Sequence, residues 1–447
     1  MKKLGRLILY TLALILLFSA GLAEREIPGI LRVTQDIEVE WLEYYRTITW
    51  SVVHTARKDV NEAVNARVAA LKKEVVPRVP NGKDHITSPA RGDIFTQITR
   101  TGGRWMSFHI SAHVSANDEQ KWVKSEDYTY EMDSGRLIRL GDIIRDDGWE
   151  ALLREIRAQV ENFFPGNTPD RNALDNLCLR ENLENAGFVM TPGHLALFFP
   201  ASRIYRAHPE ALLRVEIYVP ELREILTEEA LRETDCTGYS LVALTYDDGP
   251  TKGRTREVLN ASIRYSGQVT FFLIGNRIQG NSELVHREFD AGHSVQSHTW
   301  AHSVDRDEVK PEKAARWDER LSQAMTDVIG IGPVMMRPPG GLWKLYRNAG
   351  IETPMILWSV VTSDAVAPGK EVNVPHYIDC ALSAKDGDIV LFHDGKEFAG
   401  ELAETVMKRF EEKNMLLVTV NDLCALRGVP LEEGAIIHNC PVNDTPQ

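Results

Sequence analysis

The chain has 447 residues, of which 43% are hydrophobic and 26% charged, and its formal net charge is -13. This length exceeds the usual single hydrophobic core, so we expect two globular units with connectors. The acidic balance argues against nucleic acid or an acidic lipid surface as the principal partner, and a neutral or mixed-charge substrate fits better.

The N-terminus has the layout of an export signal. Lys2, Lys3 and Arg6 precede an apolar run over residues 7–18, and small residues follow as far as Ala23. The apolar run is too short for a comfortable membrane span, so the pattern predicts a signal peptide over residues 1–23 and a secreted or cell-envelope protein. The alternative is that the segment is retained as an N-terminal anchor; no other stable membrane span is expected.

The cysteines are few and scattered, at positions 178, 236, 380, 424 and 440. This spacing provides neither a disulfide framework nor a C-x-x-C metal site. Cys236 and Cys440 flank the C-terminal half and could be bridged in an oxidising compartment. Buried, reduced thiols are an equally open interpretation.

Residues 24–235 predict a mixed α+β accessory domain, which could be two subdomains, with no catalytic constellation. Apolar spacing predicts strands at 48–55, 108–115, 195–199 and 213–219, and helices around 60–71 and 149–163. His109 and His113 have a metal-like spacing, but their alternation with apolar neighbours places them on the polar face of a strand. We therefore expect a solvated face there rather than a metal site.

A charged run over residues 227–235 marks the predicted domain boundary, and the pattern changes beyond it. Strand-like apolar runs lie at 241–246, 269–274, 293–297, 333–336, 355–361, 388–393 and 415–420, mostly separated by helix-length segments. This alternation is typical of parallel βαβ units, and seven strands could close into a small barrel. The second domain is predicted over residues 236–430, with a C-terminal tail over 431–447.

Polar residues follow several of these runs. In a parallel barrel, active-site residues lie at the C-terminal ends of the strands. Asp247 and Asp248 end the first strand before a Gly-Pro turn, so one carboxylate could bind a metal while the other handles protons. An ordinary turn is the alternative. If a helical turn starts at His298, its ring and that of His302 lie on one face and can chelate one divalent ion with a strand-end carboxylate.

Two further strand ends carry candidate residues. Arg337 precedes Pro-Pro-Gly-Gly and can form a two-point salt bridge with a carboxylate. His393 ends a later strand, and as a single residue it fits a structural histidine better than a functional one.

The order of these motifs resembles the NodB-type polysaccharide deacetylases, carbohydrate esterase family 4, over about residues 237–430. The matching motifs are Thr245 to Pro250, His298-Thr299-x-x-His302, Arg337-Pro-Pro-x-Gly341, Trp358 to Asp364, and Leu391-x-His393. The preceding half resembles the accessory domains of some exported peptidoglycan deacetylases, on the basis of Tyr128, Asp133 to Gly135 and residues 137–144.

The resemblance implies a distorted (β/α)7 barrel with a divalent metal at its mouth, zinc first and cobalt or nickel as alternatives. Asp248, His298 and His302 would bind this ion. Asp247 would be the general base, oriented by Arg337, and His393 the general acid. The substrate-binding positions that it implies are Tyr246, Gly340, Trp358, Asp364 and Leu391.

Three positions depart from the family pattern. The family has an aromatic residue where Gly340 stands, an aspartate where Val361 stands and a tryptophan where Ala365 stands. The missing aromatic side chains should open the cleft. The missing aspartate leaves His393 without its usual partner unless Asp364 takes its place.

The implied function is that of a secreted, metal-dependent N-deacetylase of N-acetylated glycan, either peptidoglycan or a chitin-like oligosaccharide. An O-acetyl esterase acting on acetyl xylan is an alternative with the same chemistry. A catalytically impaired protein that binds cell-wall glycan is the alternative from another class.

Overall fold

A computed structural model describes residues 30–43, 46–81, 90–366 and 371–441 of the protein. The predicted signal peptide, residues 1–23, lies outside these ranges. Within them, no helix combines the length and the apolar character that are needed to cross a membrane.

The N-terminal part is a six-stranded sheet with one long helix. Its strands, in spatial order, are β1 (Val33–Leu42), β2 (Arg46–Thr55), β3 (Ala90–Arg100), β4 (Trp105–Ala116), β5 (Glu119–Glu131) and β6 (Arg136–Ile138). Helix α1 (Lys58–Val75) connects the parallel pair β2 and β3, and every other neighbouring pair is antiparallel. The predicted helical spacing is confirmed, because α1 buries Val60, Val64, Val68 and Leu71 against the sheet.

A second group of elements follows within the N-terminal half. Its helices are α2 (Leu140–Ile143), α3 (Trp149–Glu161), α4 (Arg171–Leu177), α5 (Arg180–Leu183), α6 (Glu221–Ile225) and α7 (Glu228–Glu233). Its antiparallel strands are β7 (Val189–Met190), β8 (His194–Pro200) and β9 (Leu212–Tyr218). Its core is continuous with that of the C-terminal half, as shown by Phe163, whose ring centroid lies 6.2 Å from that of Phe289.

The C-terminal half alternates strands and helices, as the sequence predicts. The strands are β10 (Ser240–Gly249), β11 (Thr270–Leu273), β12 (Ser294–Ser297), β13 (Met355–Ile356), β14 (Val360–Val361), β15 (Ile389–His393), β16 (Met415–Leu417) and β17 (Ile436–Ile437). The helices are α8 (Arg254–Tyr265), α9 (Gly275–Ile278), α10 (Ser282–Asp290), α11 (Pro311–Ile329), α12 (Trp343–Asn348), α13 (Val374–Ala381), α14 (Ala399–Glu412) and α15 (Val420–Arg427). The main parallel sheet has the order β12-β11-β10-β15-β14, and β16 also pairs with β10.

The predicted closed barrel is not confirmed. The run over 333–336 forms no strand: Met336 makes single parallel bridges to Ser297 and Met355. Prolines at 333, 338 and 339 lack the N–H groups that a longer ladder would need. The run over 355–361 divides into β13 and β14, which do not pair with each other in the described part of the chain.

The residues predicted as a C-terminal tail contribute to the sheet. Strand β17 lies within them and pairs in parallel with β13, in the register Met355↔Ile436 and Ile356↔Ile437. The chain therefore returns to β13 after α15 and satisfies backbone groups that the open sheet would otherwise leave unpaired.

The predicted solvated face around His109 and His113 is wrong, since both side chains are buried. His109 Nδ1 lies 2.6 Å from Asp127 Oδ1, and His113 Nδ1 lies 2.7 Å from Gln120 Oε1. Helix α10 of the other half packs here, with Asp290 Oδ2 3.7 Å from His113 Nδ1. The polar face of β4 is thus an internal contact surface between the two halves.

The suggested pairing of Cys236 with Cys440 is also wrong. All five thiols are free, and the sulfur that Cys440 contacts belongs to Cys424, 3.5 Å away.

Candidate active site

The two adjacent carboxylates lie where β10 ends. Asp247 is buried, whereas Asp248 is partly exposed and adopts a left-handed backbone conformation with φ 74°. The ladder between β10 and β11 is irregular between Asp247 and Gly249, so the usual alternation is broken there. The two side chains occupy different environments, one buried and one partly exposed.

Asp248, His298 and His302 form a cluster whose ligand atoms all lie within 4.8 Å of one another. Asp248 Oδ1 is 3.6 Å from His298 Nε2 and 3.3 Å from His302 Nε2. His298 Nδ1 lies 2.7 Å from the Arg337 carbonyl oxygen. That hydrogen bond assigns the ring proton to Nδ1 and leaves the Nε2 lone pair directed at the cluster.

Two observations make this cluster fit a divalent cation. Asp248 Oδ1 is buried and has no hydrogen-bond partner within the protein. Burial lowers the pKa of His298 despite the opposing charges of Asp247 and Asp248, which favours the neutral imidazole that a metal requires. One carboxylate and two imidazoles are a common donor set for zinc and related ions, with further coordination positions open.

The two histidines do not lie on a helical turn, so that prediction is wrong. Residues 298–302 form an irregular loop in which Thr299 and His302 have φ values of 66° and 52°. The His302 N–H donates to Thr299 Oγ1 at 3.1 Å. These left-handed residues bring the two rings to a centroid distance of 5.0 Å without helical geometry.

Arg337 is completely buried and holds the Asp247 carboxylate. Its Nη1 donates to Asp247 Oδ1 at 2.8 Å and to Thr245 Oγ1 at 2.7 Å. The rest of the guanidinium donates to the carbonyl oxygens of Ile356 and Leu357, at 3.1 and 3.0 Å. Because these groups fix the guanidinium, the orientation of the Asp247 carboxylate is fixed as well.

His393 pairs with Asp364 on the other side of β10. The ring Nδ1 lies 2.8 Å from Asp364 Oδ1, and the His393 backbone N–H donates to Asp364 Oδ2 at 2.8 Å. Burial by itself lowers the pKa of His393, but the Asp364 hydrogen bond and the charges of Asp364, Asp247 and Asp248 raise it overall. Val361, at the position of the family aspartate, is 48% exposed.

The sheet register places the two proton-handling candidates side by side. Asp247 on β10 and His393 on β15 are direct partners in the parallel ladder. Asp247 Oδ2 also lies 3.6 Å from His298 Nε2, at the edge of the Asp-His-His cluster. One small region of the sheet edge thus contains a candidate base, a candidate acid and a candidate cation site.

The predicted substrate-binding residues are placed in different ways. Tyr246 is buried, with its ring stacked on Phe392 at 5.2 Å, so its side chain belongs to the core rather than to a cleft. Leu391 is also buried. Trp358 is half-buried and packs against Gly341, and Asp364 contacts His393 instead of facing solvent.

Gly340 leaves open space where the family has an aromatic residue. Its φ is 60°, and a Cβ added there would meet no atom nearer than 3.7 Å. The exposed side chains of Val304 and Leu342 lie closest to that position. The open space beside Gly340 agrees with the effect expected from losing the aromatic side chain.

Sequence reasoning missed two residues beside the site. Asp394 is buried next to His393 and accepts a hydrogen bond from Thr255 Oγ1 at 2.5 Å, and burial raises its pKa to about 7. Arg277 donates to the Asp248 carbonyl oxygen. The His-Asp dipeptide after β15 could have indicated Asp394, whereas nothing in the sequence around Arg277 distinguishes it.

Comparison with known proteins finds similar sequences that are described as deacetylases. A family model described as polysaccharide deacetylase matches residues 234–351. A peptidoglycan-N-acetylglucosamine deacetylase of Bacillus cereus is 30% identical over 215 residues, which are 43% of this chain and 96% of the relative. The peptidoglycan-N-acetylmuramic acid deacetylase PdaC of Bacillus subtilis is 28% identical over 192 residues, 43% of this chain but 40% of the relative. A solved structure described as T48 deacetylase with substrate is 28% identical, with a TM-score of 0.40, and covers 45% of this chain and 98% of its own.

A parallel sheet with an Asp-His-His cluster and a candidate acid and base at its strand ends is an arrangement suited to hydrolysis. The chain belongs to the polysaccharide deacetylase family, and it is therefore a hydrolase of carbon–nitrogen bonds other than peptide bonds.

Proposed function

We propose that this protein is a secreted, divalent-metal-dependent N-deacetylase that removes acetyl groups from bacterial peptidoglycan. The observation that carries the proposal is the convergence of three groups at one sheet edge: the Asp248–His298–His302 cluster, the Asp247–Arg337 pair and the His393–Asp364 pair.

Asp248, His298 and His302 would hold the ion, with zinc as the first candidate and cobalt or nickel as alternatives. When bound, such an ion supplies Lewis acidity, which polarises an acetamide carbonyl and lowers the pKa of water. The Nδ1 hydrogen bond of His298 keeps that ring in the ligating tautomer, and the unpartnered Asp248 Oδ1 supplies the negative charge.

Asp247 would accept the proton of the attacking water. Arg337 donates to Asp247 Oδ1 and so orients this carboxylate, which leaves its other oxygen available to the reacting groups. His393 would then donate a proton to the departing amine, and Asp364 stabilises the protonated ring. Without that proton the tetrahedral intermediate would return to substrate, since an amine anion is a very poor leaving group.

The choice of peptidoglycan as the substrate is supported by the relatives and by the open space beside Gly340. Two of the relatives are described as deacetylases of the N-acetylglucosamine and the N-acetylmuramic acid of peptidoglycan. The space beside Gly340 would accept a branched polymer more readily than a cleft lined by an aromatic ring. Location in the cell envelope rests on the basic and apolar N-terminal segment.

The proposal is tested by acetate release. The protein lacking residues 1–23 is stripped with a chelator, reloaded with zinc, cobalt or nickel, and incubated with peptidoglycan, N-acetylated chitooligosaccharide or acetyl xylan. We expect metal-dependent release that is fastest from peptidoglycan. Faster release from acetyl xylan would support the esterase instead, and no release from any of the three would refute a deacetylase.

Export is tested separately: in a bacterial host, the mature N-terminus should begin near Glu24.

A further inference from the structure

A pair of buried thiols lies beneath the C-terminal segment. Cys424 belongs to α15 and Cys440 follows β17, and both side chains are buried. Their sulfur atoms are 3.5 Å apart, which is van der Waals contact. A disulfide bond is about 2.04 Å long, so the two sulfurs must approach each other by about 1.5 Å to form one.

The other cysteines do not share this arrangement. Cys178 and Cys380 are partly exposed, and Cys236 is buried elsewhere in the same hydrophobic cluster as the pair. In the part of the chain that the structure describes, no other two cysteine sulfurs are in contact. Geometry therefore selects one pair out of the ten that five cysteines allow.

The segment that ends at Cys440 supports the active site through β13. The Cys440 N–H donates to the Gly387 carbonyl oxygen at 2.8 Å, and the Leu357 N–H donates to that of Ile437 at 2.7 Å. Arg337 contacts the same stretch of chain, because its guanidinium donates to the carbonyl oxygens of Ile356 and Leu357. A fixed C-terminal segment thus holds the short strand on which the Arg337 guanidinium rests.

We propose that Cys424 and Cys440 form a disulfide bond in an oxidising environment, and that this bond braces β17 and β13 behind Arg337. The oxidant is a small-molecule or protein disulfide. The Cys440 thiolate attacks it to give a mixed disulfide and releases one thiol. The Cys424 thiolate then attacks the Cys440 sulfur, the Sγ–Sγ bond forms and the second thiol leaves. Two electrons pass from the two cysteines to the oxidant, and both cysteine protons are lost.

Buried sulfurs can react because the C-terminal segment can open locally. Its regular structure is the two-residue strand β17, so few backbone hydrogen bonds must break to expose Cys440. Closure of the segment would then bring Cys440 back onto Cys424.

The test uses the chain without residues 1–23, equilibrated in mixtures of reduced and oxidised glutathione, quenched with acid and alkylated after denaturation. We expect digestion to yield a cross-linked peptide pair containing Cys424 and Cys440, while the other three cysteines are alkylated. A pair that stays reduced at every glutathione ratio, or a cross-link from Cys440 to Cys236, would overturn the inference.

The bracing role has its own readout. The oxidised protein should melt higher than the reduced protein by on the order of 5 °C, because the bond closes a loop of moderate length. It should also resist carboxypeptidase for longer. Cys440→Ser should abolish both differences, whereas Cys380→Ser, at a partly exposed position outside the pair, should preserve them. A cross-link without any change in melting or digestion would refute the proposed stabilisation of β17 and β13. Neither readout uses deacetylation, so this inference can fail while the proposed function stands.

Discussion

A single carboxylate, that of Asp364, binds His393 at two points: the ring Nδ1 and the backbone N–H, each at 2.8 Å. The arrangement fixes both the position and the tautomer of the ring, with the proton of Nδ1 shared with a buried acid. Asp364 therefore serves as the partner of His393, while Val361, where the family pattern has an aspartate, is 48% exposed.

Replacing Asp364 should change the pH dependence of the reaction. The pKa of His393 is raised in the folded protein, so the ring stays protonated to higher pH than a free histidine. The stability that this pairing contributes is present at low pH and is lost as the pH rises through the folded-state pKa. In Asp364→Asn we expect the alkaline limb of the kcat/KM profile to move to lower pH. Glu397→Gln, at a 91% exposed carboxylate nearby, should leave the profile unchanged.

Removal of the base should separate chemistry from metal binding. Asp247→Asn leaves Asp248, His298 and His302 intact, so we expect kcat to fall by about 10²–10⁴-fold with the metal content unchanged. His302→Ala removes a ligand, and here we expect loss of both activity and metal. Elemental analysis of the purified variants measures their metal content. Equal metal loss in the two variants would contradict the separate assignments of the adjacent acids.

Replacing Gly340 and Gly341 by alanine should affect KM differently. Gly340 and Gly341 both have positive φ, so each substitution carries a conformational cost of about 1–2 kcal/mol. A Cβ at 341 would meet the Trp358 ring at 2.9 Å, whereas one at 340 meets nothing nearer than 3.7 Å. We expect Gly341→Ala to raise KM for glycan and Gly340→Ala to leave KM nearly unchanged. Equal effects on KM would argue against a role for Trp358 in binding substrate.

Two ion pairs between the halves of the chain should differ in their effect on stability. Buried Asp93 on β3 contacts Arg256 Nη1 at 3.0 Å and lies 3.7 Å from Arg287 Nη1. Burial opposes ionisation of Asp93, but the charges of Arg287 and Arg256 lower its pKa overall. Asp93→Asn removes the carboxylate beside the buried Arg287 guanidinium and leaves Arg256 with Glu283, 2.6 Å from its Nη2, as its remaining anion. We expect a loss of about 3–5 kcal/mol in the free energy of unfolding.

The matched control is Asp118→Asn. Asp118 pairs with Lys252 at 2.6 Å, but the two side chains are 36% and 65% exposed. An exposed pair contributes about 0–1 kcal/mol. Urea denaturation of both variants measures the difference, and a similar loss in the two would show that the Asp93 cluster is not a significant contact between the halves.

Local sequence determined much of this protein. Apolar spacing identified α1 and α3, and the apolar runs located β10, β11, β12 and β15, because these strands are buried on both faces. The strand-end position of Asp247 and Asp248 followed from a Gly-Pro stop. The order of the motifs along the chain is enough to indicate the family.

Other features depended on contacts between distant segments. No rule of sequence spacing predicts that Arg337 donates to carbonyl oxygens at β13, or that β17 pairs with β13. These contacts form only when the open sheet is assembled. The same holds for His109 and His113, whose polar strand pattern is that of a solvated face until Phe198 of β8 covers the first and α10 the second. Asp364 could be suggested as a partner of His393, but only the fold shows both hydrogen bonds.

The sequence by itself therefore determined which residues could carry the chemistry, since residue type and position at a strand end are local properties. The tertiary structure decided which of them meet and which are buried, because distances between segments far apart in the chain depend on how the whole sheet packs. The clearest case is the pair of histidines at 298 and 302: their spacing suggested a helix, whereas a loop with two left-handed residues brings them to Asp248.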